Sequence, residues 1–173
     1  MSGHPKPALN GVDRAAVDRV VERFRAEPGS ADVGFAASVE WVAGFRSRSV
    51  AGGFGPLAGD EPVDLAGAGT APAPEDLLLA AVGQCLVVGI VGSASARGVE
   101  ISGLRVDVRG QVDLSVAYGL ADGHPGFSAI DVAVDLVADL PRAELDDLVQ
   151  KALARAPIPN TVSNPVPVRV VLA

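Results

Sequence analysis

Twenty consecutive uncharged residues, LLLAAVGQCLVVGIVGSASA, separate Asp76 from Arg97 and contain the only cysteine of the chain, Cys85. A stretch this long and apolar has two uses, because about 20 such residues either cross a bilayer or form a helix buried on all sides. Gln84, three glycines and two serines lie within it, no aromatic belt flanks it, and strand-like alternation follows it where a basic juxtamembrane flank would stand. The run is therefore expected to be a buried core helix, with no membrane partner. Pro72 and Pro74 suit its start, Glu75 and Asp76 complement the dipole in its first turn, and Arg97-Gly98 supplies a stop. Gly89 with Ser93, and Gly92 with Ala96, are four apart, so one face admits a second helix at close range; the same helix of another subunit would serve.

At 173 residues and 49% hydrophobic content the chain has material for one sizeable core. Residues 1–30 read as an N-terminal helical extension and 31–173 as a single domain. Val12, Ala15, Ala16, Val20, Val21 and Phe24 recur at helical spacing up to about Ala26, and Pro28-Gly29 ends that helix. Val33 to Val42 reads as a strand turning at Ala43-Gly44 into a hairpin partner, Phe45 to Val50. Gly52 to Pro74 carries six Gly and four Pro and is expected to be mostly loop, with a short strand around Pro62 to Leu65. A loop this long usually has a functional reason. Beyond Gly98 the period becomes two over Ile101 to Leu114 and again over Ile130 to Val137. A helix is expected over Pro141 to Ala154 and a last strand over Val166 to Leu172. The fold class is α+β.

The net charge of -7, with scattered Lys and Arg, excludes a basic stripe and argues against nucleic acid as partner. One cysteine forms no intramolecular disulfide, and MSGHPKPALNG lacks the apolar core of a signal peptide, so a reducing cytoplasmic location is expected.

Cys85 is either a small core hydrophobe or a nucleophile whose ionisation a neighbour supports. Eleven residues into its helix it stands beyond the reach of the dipole, so a thiolate there needs a cation. Arg46 and Arg48, in GFRSR, are the candidates, since a guanidinium keeps its charge and donates in a fixed fork that a carboxylate such as Glu75 would hold in place. Both arginines also read simply as solvated turn residues, and Glu75 as a first-turn charge.

The segment APAPEDLLLAAVGQCL resembles the central motif of the OsmC/Ohr family, the osmotically induced and organic hydroperoxide resistance proteins, with its Pro-Glu pair about three helical turns before the reactive cysteine. VEWVAGFRSR is similar to the family's first hairpin, GFSAIDVAVDLVADL to its Gly-Phe strand, and APIPNTV to its Cys-Pro-x-x-Asn segment. Together these run from about Val39 to the C-terminus. The resemblance implies an OsmC-like intertwined homodimer with central buried helices packed between β-sheets and two sites at the subunit interface. It further implies Cys85 as peroxidatic thiol, Arg46 (alternatively Arg48) as the guanidinium that stabilises the thiolate, and Glu75 as the carboxylate that orients it. Ten helical residues separate Glu75 from Cys85 by about 15 Å. The helix must therefore break near Ala81 to Gly83, or Cys85 of one subunit must meet Glu75 of the other; the second is favoured.

The implied reaction is thiol-dependent reduction of an organic hydroperoxide, with Leu78, Leu79, Val82 and Leu86 as the apolar substrate pocket. Where the family carries a second, resolving cysteine this chain has Ala156, so an external thiol must reduce the oxidised Cys85. The alternative is a non-catalytic protein of the same fold that binds a small hydrophobic ligand at the dimer interface. No cofactor and no metal is expected: His4 and His124 stand far from Cys85 in sequence. Gly67-Ala68-Gly69-Thr70 precedes a helix like a phosphate loop but lacks the Lys of that motif.

Overall fold

The computed structural model describes residues 8–172; His4 lies outside them. The described residues form two compact units, one of residues 15–78 and one of residues 8–14 with 79–172. A single helix, α2 (Pro74–Arg97), contributes its first turn to the former and the rest to the latter.

In the unit of residues 15–78, helix α1 (Arg14–Ala26) precedes an antiparallel sheet of β1 (Ala37–Ala43), β2 (Arg46–Ala51) and β3 (Phe54–Gly59) in sequential order. Glu40 stands opposite Arg48 and Ser47 opposite Gly59, and the β1–β2 ladder shifts register between Trp41 and Ala43. Strand β3 corrects the reading of this stretch as loop. Glycine and proline weaken a strand signal, but backbone pairing with β2 supplies what side chains do not. The short strand expected at Pro62 to Leu65 is a 3-10 turn, Val63–Leu65, closed by Ala66 in the left-handed region. Strand β1 begins at Ala37, not Val33.

In the other unit a long antiparallel pair, β4 (Ile101–Val112) and β5 (Phe127–Ala138), carries α2 and α4 (Arg142–Leu153) on its apolar face. Leu104, Val106 and Val108 alternate with Arg105, Asp107 and Arg109 along β4. On the outward face Arg105 stands opposite Asp135 and Arg109 opposite Asp131, so unlike charges face each other across the ladder. A one-turn helix, α3 (Leu114–Ala117), capped by the Asp113 carboxylate, begins the β4–β5 connection, and α5 (Pro157–Ser163) follows α4. Ile90 and Ala94 of α2 and Leu148 and Ala152 of α4 form the core, with Leu104, Val134 and Leu136 packed against them.

The glycines of α2 mark its closest approaches. A Cβ on Gly83 would stand 3.2 Å from Val108, one on Gly89 3.5 Å from Ala152, and one on Gly92 would meet nothing within 4 Å. The helix is thus buried along one stripe, Val82, Leu86, Ile90 and Ala94, and exposed along another, Gln84, Val88, Gly92 and Ala96. Burial on all sides, expected from its uniform composition, is not found within one chain. The N-terminal turn is stapled to the end of this helix: Asn10 donates to the Ser95 hydroxyl and the Val99 carbonyl and accepts from the Ile101 N–H.

Val166 to Leu172, expected as a strand, pairs with no strand among the described residues and is exposed. Pro165 and Pro167 lack N–H donors, and no neighbouring strand lies along it to accept the remaining pattern.

Candidate active site around Cys85

Cys85 lies in the middle of α2, half-buried, and packs against a cluster of Val82, Leu86 and Ala156 together with Val106 and Val108. Leu86 and Val82 follow from helical spacing. Ala156 comes from the other end of the unit, where it is the N-terminal cap residue of α5 and is 3% exposed. Its carbonyl accepts from the Asn160 side chain, whose amide also donates to the Leu153 carbonyl, so the Ala-Pro-Ile-Pro-Asn turn is fixed to the end of α4 by its own asparagine. The residue standing where the resemblance puts a second cysteine therefore belongs to the hydrophobic cluster against which Cys85 packs. Of the expected pocket residues, Val82 and Leu86 are buried in that cluster, Leu79 is half-buried and Leu78 exposed.

An apolar cavity of about 330 Å³ shares Val82 and Leu86 with that cluster and is further walled by Val132, Leu153 and Pro159, with Gln150 and Ser163 as its polar groups. It belongs wholly to the unit of β4 and β5.

The charged candidates belong to the first unit. Arg48 bonds to Glu40 directly across the β1–β2 ladder at 3.1 Å, whereas Arg46, beyond the register shift, has no ion-pair partner among the described residues. Glu75 lies exposed in the first turn of α2, where Asp76 caps the helix by accepting from the Ala73 N–H. The helix continues unbroken through Ala81 to Gly83, which removes the broken-helix alternative.

The connection from β3 to α2 is organised by a residue the sequence reading did not single out. Asp60, 2% exposed, accepts from the N–H groups of Glu61 (2.9 Å), Ala68 (3.4 Å) and Thr70 (3.0 Å) and from the Thr70 hydroxyl (2.7 Å). The Thr70 donors, backbone first, hold its carboxyl down at about 2. Burial raises the carboxyl of Glu61, and the negative charges of Glu75, Asp60 and Asp76 push it further the same way. Gly67-Ala68-Gly69-Thr70 thus wraps a carboxylate of its own chain. The signal that would have found it is an Asp directly after a strand and ahead of a glycine-rich stretch, since a short carboxylate readily collects local N–H groups.

The sequence profile of the OsmC-like protein family matches residues 67–171, well over half of the chain. No curated protein matches the sequence. Among solved structures, the chain is similar to the OsmC-like protein of Mycoplasma pneumoniae, with a TM-score of 0.66 at 18% identity over 76% of this chain and 89% of that one. It is similar also to the organic hydroperoxide resistance protein OsmC of Legionella pneumophila, with a TM-score of 0.58 at 22% identity over 76% of this chain and 90% of that one. A third, an organic hydroperoxide resistance protein of Elizabethkingia anophelis with thiocyanate bound, gives 0.55 at 18% identity over 75% and 88%. With the helix that carries Cys85, the Pro-Glu pair at its start and the Ala-Pro-Ile-Pro-Asn turn all inside the matched residues, the chain belongs to the OsmC-like family.

Proposed function

We propose that this protein reduces organic hydroperoxides with Cys85 as its single redox thiol. The thiolate attacks the O–O bond; one oxygen stays on sulfur as a sulfenic acid, and the other leaves as an alkoxide that takes a proton to become the alcohol. An external thiol then condenses with the sulfenic acid, releasing water and leaving a mixed disulfide, and a second external thiol displaces it and restores Cys85. The observation that carries this reading is that Cys85 packs against the cluster to which Ala156 belongs. A thiol partner at that place would resolve the sulfenic acid internally, whereas an alanine leaves the work to a soluble reductant, which the reducing cytoplasm supplies.

Arg46 is assigned as the guanidinium beside the thiolate in preference to Arg48, because Arg48 is already held by Glu40. Glu75 orients Arg46. In an unbroken helix Glu75 and Cys85 of one chain do not meet, so the reading takes Cys85 of one subunit with Arg46 and Glu75 of the other, in an intertwined homodimer. Two features support a second copy as partner: the exposed uncharged stripe of α2 around Val88 and the unpaired, apolar C-terminal segment. Leu78 and Leu79, with Val82 and Leu86, would then border the peroxide.

A second reading is favoured by the apolar cavity lined by Val82 and Leu86, whose volume suits a small hydrophobic ligand with a neutral polar head at Gln150 or Ser163. In that case Cys85, outside the lining of the cavity, takes no part in binding.

The deciding experiment mixes reduced protein with cumene hydroperoxide and follows Cys85 by stopped flow and intact mass. Rapid gain of one oxygen, abolished in Cys85→Ser and slowed at least tenfold in Arg46→Ala, is expected. In Ala156→Cys the same treatment should yield an intramolecular disulfide. Oxidation no faster than that of a free thiol would leave the ligand-binding reading, in which Cys85→Ser retains affinity.

A further inference from the structure

The connection between β3 and α2 spans Asp60 to Ala73, and both of its ends are tied to one residue. At its start the Asp60 carboxylate gathers Glu61, Ala68 and Thr70; at its end the Asp60 N–H donates to the Pro72 carbonyl at 3.2 Å, three residues before Glu75. Between them the chain closes on itself: the Gly67 N–H reaches the Pro62 carbonyl, and the Gly69 N–H reaches that of Glu61. The sheet fixes where this knot sits. Ser47 of β2 pairs with Gly59 of β3, so the residues next along the ladder, Arg46 and Asp60, emerge side by side at the same end of the sheet. The first turn of α2 is brought to that end too, since Glu61 senses the charges of both Glu75 and Asp76.

We infer that Asp60 is a positioning residue for the peroxidase site, locking the β3–α2 connection so that Glu75 is presented at the sheet end where Arg46 begins β2. This rests on the peroxidase reading. Asp60 is not itself the carboxylate that orients the arginine, because its oxygens are already engaged. Oδ1 accepts from Glu61 and Ala68, and Oδ2 from both donors of Thr70, which uses the roughly four lone-pair sites a carboxylate offers. Glu75, exposed and one residue before the capping Asp76, has no side-chain hydrogen-bond or ion-pair partner among the described residues. The division of labour is therefore physical: a saturated, buried carboxylate shapes the loop, and an unsaturated one acts. Displacement of an orienting group by about 1 Å costs up to about a hundredfold in rate, so a loop of this length needs such a lock.

The test is a double-mutant cycle on the rate of Cys85 oxidation by cumene hydroperoxide, well below each variant's melting midpoint. Asp60→Asn keeps the shape but removes acceptors from the Thr70 donors. It should slow oxidation about tenfold and, by amide exchange, deprotect Thr70. Glu75→Gln should slow it at least as much, and the double variant should be no slower than Glu75→Gln alone. Thr70→Ser, which retains the hydroxyl, should oxidise at the normal rate, whereas Thr70→Val should show the defect in part. If Asp60→Asn fails to fold, Thr70→Val with Glu75→Gln completes the same cycle. Additive effects, or a normal rate in Asp60→Asn while Glu75→Gln is slow, would overturn the positioning role and leave the peroxidase reading intact. A normal rate in Glu75→Gln would instead overturn the role of Glu75 and the positioning role with it.

Discussion

Two arginines two positions apart on β2 have different surroundings for a reason visible in the ladder. Arg48 lies in regular register opposite Glu40 and forms an exposed ion pair, an interaction worth about 0–1 kcal/mol. Arg46 lies past the register shift at Trp41 to Ala43, where the cross-strand residue is Ala43 and offers no charge. Asp60 shows the opposite balance, a carboxylate with more donors than solvent. Because its folded value is about 2 against an ordinary 3.8, the unfolded chain takes up the proton first as pH falls. Its contribution to stability is complete above about pH 4 and is lost between there and about pH 2. Urea midpoints measured across that window should fall more steeply for the wild type than for Asp60→Asn, the two curves converging at the acid end. Parallel curves would mean that Asp60 carries no such linkage. Glu61, whose carboxyl is raised by burial and by the neighbouring negative charges, contributes with the opposite sign.

Elements here are decided as much by backbone pairing as by side-chain pattern. The alternation of β4 and β5 and the spacing of α4 are plain in the residues, because one face of each is buried in a regular period. Strand β3, Phe-Gly-Pro-Leu-Ala-Gly, is not, since two glycines and a proline hide its period and only β2 beside it makes it a strand. The β3–α2 connection depends on a close approach that composition does not reveal: a Cβ on Gly67 would lie 1.8 Å from the Glu61 carbonyl oxygen. Gly67→Ala must therefore open the loop around Asp60. We expect a loss of about 1–3 kcal/mol in urea unfolding, together with slower Cys85 oxidation, as for overpacked sites generally. An unchanged midpoint would show that the loop yields without cost.

At the scale of the molecule the core is made of small aliphatic side chains, and the aromatic residues lie elsewhere. Phe35, Trp41, Phe45, Phe54 and Tyr118 are all exposed, as is Val88 at 73% on α2. Exposed apolar surface of this extent suits an interaction face, and the proposed second copy is the partner assigned to it. The proposed dimer predicts that the wild type sediments at twice the chain mass. It also predicts that Val88→Glu, which places a charge on the exposed stripe without touching the buried one, sediments as a monomer and loses peroxide turnover. A Val88→Glu protein that remains dimeric and active would remove α2 from the interface.

What the sequence determined by itself is whatever depends on local period and residue chemistry: an α+β chain, a long uncharged helix carrying one thiol, the start and stop of that helix, and the family resemblance carried by its motif. The tertiary structure decided what depends on residues far apart in the chain. It brought Ala156 into the cluster against which Cys85 packs, gave Arg48 to Glu40 while leaving Arg46 without an ion-pair partner among the described residues, and gathered the β3–α2 connection around Asp60. The physical reason is the same in each case. Periodicity reports which face of an element is apolar, but which groups meet across that face is set by register, by close approach of backbones and by the saturation of buried polar atoms.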